Sequence, residues 1–160
     1  MKVDFNQLPD EAKVWMYQSN TAFTSEQISV IEELSDVFLD QWESHGIPVQ
    51  GSIDILNNNC IRIAGYTNED SMCGRARDGQ ARLIKELEGE LNVDLMNRMI
   101  LAFELNGKSE VVHMNDVESK VNEGGITKST IYYNNLIQSK EEFKNDWKVE
   151  AATTWLERYF

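Results

Sequence analysis

Apolar positions along the chain recur at two different spacings, and each change of spacing marks an element. Lys13 to Gln18 carries Val14, Trp15, Met16 and Tyr17, the β-branched and aromatic types that fill strands, and Ser19-Asn20-Thr21 breaks the run. Thr24 followed by Gln27 is a capping-box signature. Beyond it Ile28, Ile31, Leu34, Val37, Phe38 and Trp42 recur at helical spacing, with Gly46 and Pro48 expected to stop the helix. Stretches 49–56 and 60–66 alternate with period two around Asn57-Asn58-Asn59, a sequence that tolerates the backbone of a tight turn. That alternation puts Ile53, Ile55, Ile61 and Ile63 on one face, and Cys60 with Arg62 on the other.

A second helical stripe follows at Ala76, Gln80, Leu83, Ile84, Leu87 and Leu91, with Asn92 as its stop. Met99 to Leu105 is almost wholly apolar and reads as a covered strand. Asn106-Gly107 is a strong hairpin signal, so Ser109 to Met114 reads as its partner. After that the pattern loosens. Asn115 is expected to cap a short helix ending at Gly124-Gly125, residues 130–133 read as extended, and Ser139 with Glu142 reads as a second capping box. The final segment, Thr154 to Phe160, is too aromatic for a free tail and is expected to dock on the body.

The predicted order is therefore strand, helix, strand, strand, helix, strand, with one more strand added by a hairpin. That is a single α+β domain over 1–160. It has an antiparallel sheet of ferredoxin-like (βαββαβ) order over about 12–114, two main helices on one face, and a C-terminal extension over about 115–160. In that reading the first and third strands are parallel central neighbours, each leading into a helix from the same sheet edge. Tyr17 to Asn20 would then lie beside Cys73 to Asp78, with His45 at the opposite edge.

Composition narrows the function classes. With 41% hydrophobic and 26% charged residues, the chain fits an ordinary soluble globular protein. No apolar run approaches the roughly 20 residues of a membrane span, and Met1 to Asn6 turns polar at once, so a cytoplasmic protein is expected. The 27 acidic residues against 15 basic leave a net charge of −12 without a basic stripe, which argues against nucleic acid and anionic membranes as partners.

Candidate chemistry gathers at Met72-Cys73-Gly74-Arg75-Ala76-Arg77-Asp78, where a strand hands over to a helix. Free N–H groups at a helix start, joined by forked guanidinium donors, suit a carboxylate or phosphate. Arg75 and Arg77 are the expected cationic contacts of a small anionic ligand, Gly74 the close backbone approach, and Gln18 and Asn20 the polar lining. The bland reading pairs the same arginines with Glu69, Asp70 or Asp78 at the surface. Cys73 is a candidate reactive thiol, since helix starts and arginines lower a thiol's pKa, with Asp78 assisting. No histidine stands near it in sequence, and the cysteine-x5-arginine spacing of a phosphatase loop fails at Gly79. Cys60, on a strand, reads as packing.

His45 and His113 have no metal-ligand company, so neither a metal nor a cofactor is predicted. His45 just before Gly46 reads as the end of the first helix. Ala102 to Ser109 satisfies the loosest Walker A pattern, yet a hydrophobic strand and a hairpin turn stand where a P-loop needs a glycine arc and a helix.

Several stretches resemble a family of small bacterial proteins, typical of Bacteroidetes, whose members often carry the label "ABC transporter ATPase". They are Val14 to Asn20, Trp42 with His45-Gly46, Asn92 to Met96, Asn134-Asn135-Leu136, and the ending with Trp147, Trp155, Arg158 and Phe160. The family's Gly-Cys-Ser-Ile-Asp segment is matched by Gly74 and Asp78, while Arg75 stands in the cysteine's place. The resemblance implies a cytoplasmic bacterial setting and names no activity; the ATPase label finds no signature here. Three functions are expected in turn: a non-catalytic ligand- or partner-binding protein, a small enzyme using Cys73, and a structural protein acting through self-association.

Overall fold

Thr24 accepts a hydrogen bond from the Gln27 N–H, and the Gln27 side chain accepts one from the Thr24 N–H. Two otherwise orphaned donors are satisfied, and helix α1 (Ser25–Gln41) starts where its capping box lies. The computed structural model describes residues 1–68 and 72–160. Strand β1 (Lys13–Gln18) precedes α1, and a two-rung hairpin of β2 (Glu43–Ser44) and β3 (Ile47–Pro48) follows it. Next come β4 (Gln50–Leu56), β5 (Cys60–Tyr66), α2 (Gly74–Leu91), β6 (Ile100–Leu105) and β7 (Lys108–His113). The chain continues with α3 (Val117–Asn122), β8 (Ile131–Tyr133), α4 (Lys140–Asp146) and β9 (Lys148–Glu150). The architecture is α+β, with antiparallel sheets.

The strands do not join one sheet. One sheet has the order β1-β5-β4, and a second the order β7-β6-β8-β9. β6 packs near β1, with Ala102 in one core cluster with Val14 and Met16, and the Gln18 side-chain amide donates to the Ile100 carbonyl at 3.3 Å. Its ladders run instead to β7 and β8.

Both main helices cover the isoleucine face of the first sheet. Ile61 and Ile63 bury there against Ile31 and Leu39 of α1 and Leu83, Ile84 and Leu87 of α2. The other face carries Val14, Met16, Cys60 and Ala64 against Leu8, Tyr133, Ile137 and Trp147. Arg62 lies on that face, as alternation places it. It is bonded to Asp54 at 2.7 Å and stacked 3.5 Å from the centre of the Phe5 ring. The C-terminal segment does dock: Leu156 and Ala151 bury with Leu101, Phe103 and Tyr132. Ala102 to Ser109 forms the β6–β7 hairpin, turning at Asn106-Gly107 with positive φ at both residues.

Three further expectations need correction. β5 runs antiparallel to β1, with Gln18 opposite Cys60 and Lys13 opposite Gly65, so the first and third strands end at opposite sheet edges. The parallel pairing fails because α1 returns the chain to start β4 alongside the start of β1, and a hairpin then reverses β5 between them. α1 ends at Gln41, before His45, and His45-Gly46 make the tight turn between β2 and β3 with φ of 52° and 78°. His113, not Asn115, caps the turn before α3, its ring nitrogen accepting from the Asn115 N–H at 3.1 Å.

Candidate functional site

The expected anion cluster is taken apart by this topology. Gln18 stands five residues along the strand from Lys13, the end of β1 that lies near α2, a distance of roughly 17 Å at the usual rise. Gln18 is buried and committed, donating to Ile100 and accepting from Asn135 at 3.1 Å. Asn20 is exposed beside the β4–β5 turn, where Ser19 N–H donates to Asn59 and Phe23 N–H to Asn58. Neither belongs with Arg75. The arginines also part company. Both lie inside α2, where residues two apart do not share a face, and Arg75 borders one cavity while Arg77 borders another. The expected pairing of these arginines with Glu69 or Asp70 lies outside the described residues. Gly74 opens the helix, and a Cβ there would meet nothing within 4 Å, so no close approach requires a glycine.

What the fold builds instead is a cleft between the end of α1 and the start of α2, and Trp42 positions it. Gly51 and Gly65 face each other across β4 and β5, and their missing side chains leave a floor for the Trp42 indole. A Cβ on Gly51 would come within 2.7 Å of Leu39 Cδ2 and 3.0 Å of the indole, and one on Gly65 would overlap the ring. Phe38 packs on the indole's other side with ring centroids 4.9 Å apart. The indole Nε1–H then donates to the Ala76 carbonyl at 2.8 Å, latching the residue after α1 to the first turn of α2. A buried aromatic whose polar edge finds a partner is a rigid spacer.

Cys73 is the N-cap of α2 and borders the resulting cavity of about 610 Å³ with His45, Arg75, Arg82, Phe38 and Trp42. Its N–H donates to the buried Ser44 hydroxyl at 3.0 Å, which ties the helix start to β2. Cys73 caps the helix without a well-formed side-chain hydrogen bond. The surrounding donors act on its charged form: the Ser44 hydroxyl first, then the Ala76 N–H, hold the thiol below its usual pKa. The N–H groups of His45 and Arg75 add to the effect, and partial desolvation opposes it. A thiolate is both the nucleophile and an anion that helix-start N–H groups favour. Cys60 is the reverse case, a buried thiol pushed up to about 12 by desolvation.

The histidine absent from Cys73's sequence neighbourhood thus reaches it through the β2–β3 turn. Arg82 was also missed. Its guanidinium folds back over Gly79, where a Cβ would lie 3.6 Å from its terminal nitrogen and from Phe38. Asp78 has no place among the residues around the cleft. The findable signals were the His45-Gly46 turn and Arg82, which follows Arg75 by seven residues and so shares its face of a helix. Among the described residues no group of three metal-ligating side chains gathers, and no helix is long and apolar enough to cross a membrane. Comparison with family models, with curated proteins and with solved structures gives no match to this chain.

Proposed function

We propose that this is a cytoplasmic small-molecule protein that takes an anionic ligand in the cleft between α1 and α2 and sets the Cys73 thiolate against it. The observation that carries the reading is the Cys73 thiol at the start of α2, bordering one cavity with Arg75 and Arg82. Binding and thiol chemistry, separate readings of the sequence, become one site. The arginines supply charge and forked donors for a carboxylate or phosphate. The thiolate attacks an electrophilic carbon of that ligand: a carbon–sulfur bond forms, and the leaving group departs with its bonding pair.

The order β1-β5-β4 beneath two helices supports a finer reading of the fold as a ferredoxin-like half whose fourth strand was taken up by the second sheet. The resemblance to the Bacteroidetes family belongs to the same proposal and adds no activity to it.

Paired alkylation rates provide the test. Cys73 should react with iodoacetamide at pH 7 several-fold faster than a model thiol. It should favour the anionic iodoacetate more than a model thiol does, and Arg75→Ala with Arg82→Ala should remove that preference. A rate and a preference no different from the model thiol would dispose of the reading.

A further inference from the structure

Three cations meet at one cavity in an otherwise acidic chain. Segment 135–138 runs beside β1 and joins it at a lone antiparallel bridge centred on Lys13 and Ser139. Its next N–H groups are spent elsewhere: Gln138 donates to the Glu142 carboxylate at 2.6 Å and Leu136 to the Asn134 side chain at 3.2 Å. The segment therefore stands off from the strand, and a cavity of about 270 Å³ opens along the β1 edge. Lys13 of β1, Arg77 of α2 and Arg98 of the loop before β6 border it, and no acidic side chain does. All three cations are exposed, and among the described residues none has a carboxylate within 4.0 Å. With 27 acidic residues against 15 basic, this border is a local reversal of sign. Like charges drawn together from three elements repel one another, and a bound anion removes that repulsion.

Tyr17 stands in the cavity wall, its hydroxyl donating to the Gln80 amide oxygen at 2.6 Å. Desolvation raises the pKa of this tyrosine, and the charge of Arg98 opposes the rise, so the guanidinium lies close to that wall. The border is not only charged. Trp15 and Ile137 add apolar surface, and Leu136 is the most exposed large hydrophobic side chain among the described residues, at 55%. An inorganic anion would leave that side chain wet, whereas a carbon skeleton would cover it. The cavity is smaller than the roughly 300–1,000 Å³ of sites for drug-sized ligands, which suits a ligand of a few carbons.

From this we infer that the cavity is a second ligand site, separate from the Cys73 cleft, for a small organic anion of two or more charges. Arg77 and Arg98 take its charged groups in forked hydrogen bonds, Lys13 adds a third positive charge at the rim, and its carbons lie on Leu136. The charged groups have two sources, carboxylate or phosphate, with the same chemistry toward guanidinium.

The test titrates the full chain, ¹³C-labelled at its leucine methyl groups, with tricarballylate and with glycerol 3-phosphate. Inorganic phosphate at matched ionic strength is the reference. At least one organic anion should move the Leu136 methyl resonances in a saturable way and bind several-fold tighter than inorganic phosphate. Arg77→Gln with Arg98→Gln, both at exposed positions, should weaken that binding by about tenfold or more and leave Cys73 alkylation unchanged. Saturation by tricarballylate alone assigns a polycarboxylate, by glycerol 3-phosphate alone a phosphate ester, and by both a site that reads charge and size. Equal binding by inorganic phosphate, unchanged affinity in the double variant, or no Leu136 shift at millimolar concentrations of either organic anion would each overturn the site. Altered Cys73 alkylation in the double variant would overturn its separation from the Cys73 cleft.

Discussion

Two clefts flank the first turns of α2, and they differ in how they are made. The Cys73 cleft is rigid by construction: an indole wedged over paired glycines fixes the gap, and the Cys73 N–H bonded to the Ser44 hydroxyl ties the helix start to β2. The β1-edge cleft arises from an interrupted ladder, with side chains of Glu142 and Asn134 diverting the bonds that would have closed it. Arg75 and Arg77, two positions apart, serve one cleft each. A thiol at a helix start beside two arginines suits chemistry on an anion, while the second cleft has Lys13, Arg77 and Arg98 at its border.

Removing the wedge should break the first cleft and spare the second. Trp42→Ala is expected to cost about 3–5 kcal/mol in denaturant unfolding and to return Cys73 alkylation to the rate of a model thiol. If Cys73 keeps its reactivity in that variant, the wedge does not organise the site.

The second cleft depends on Lys140, which follows the Ser139 bridge. Its buried ammonium donates to the Phe5, Asn6 and Leu8 carbonyls at 3.0, 3.2 and 2.6 Å, pinning the start of α4 to the N-terminal segment. Lys140→Met keeps the stem and strands those acceptors, so a loss of about 1–3 kcal/mol is expected. Hydrogen exchange should rise at Val14, and Cys73 reactivity should stay put. Exchange at Val14 that matches the wild type would separate Lys140 from the edge.

The two cysteines give a pH contrast. Cys60, pushed up to about 12 by burial, stays protonated in the fold while the unfolded chain ionises from about pH 9. Its contribution is complete below that range and declines as pH rises toward 12, by at most about 1.4 kcal/mol per pH unit. Cys73 has the opposite sign, because its lowered pKa adds stability as pH rises past the folded value. Cys60→Ala should flatten the alkaline decline in urea midpoints between pH 9 and 11. An unchanged slope would place the titration on the buried tyrosines, Tyr17 and Tyr132, whose pKa values desolvation also raises.

The smallest effect on stability is the sharpest on function. Arg75→Ala and Arg77→Ala, both exposed, should each change unfolding by no more than about 0.5 kcal/mol. Arg75→Ala alone should lower the iodoacetate preference, and Arg77→Ala alone, bordering the other cavity, should leave it unchanged. If Arg77→Ala lowers it as well, the two clefts are one.

Much of the fold was legible because local chemistry fixes it. The Thr24 box, the isoleucine alternation and the stripe from Ala76 to Leu91 lie where period and capping place them, and Asn92 ends α2 as expected, in the left-handed conformation. Cys73 as a thiolate candidate was legible for the same reason: a helix start acts within a few residues of itself. The direction of β5 against β1 follows from those same elements, since a helical crossover brings β4 back parallel to β1 and the Asn57–Asn59 hairpin reverses β5 between them; the parallel expectation overlooked that hairpin. That single reversal moved Gln18 and Asn20 away from the site and left Arg75 and Cys73 to meet His45, Ser44 and Arg82. Sequence determined the elements, their caps and their buried faces, because those depend on neighbours a turn or less away. Tertiary structure alone decided the company each functional side chain keeps, because contacts such as Trp42 on Gly65 or Cys73 on Ser44 join residues more than twenty positions apart.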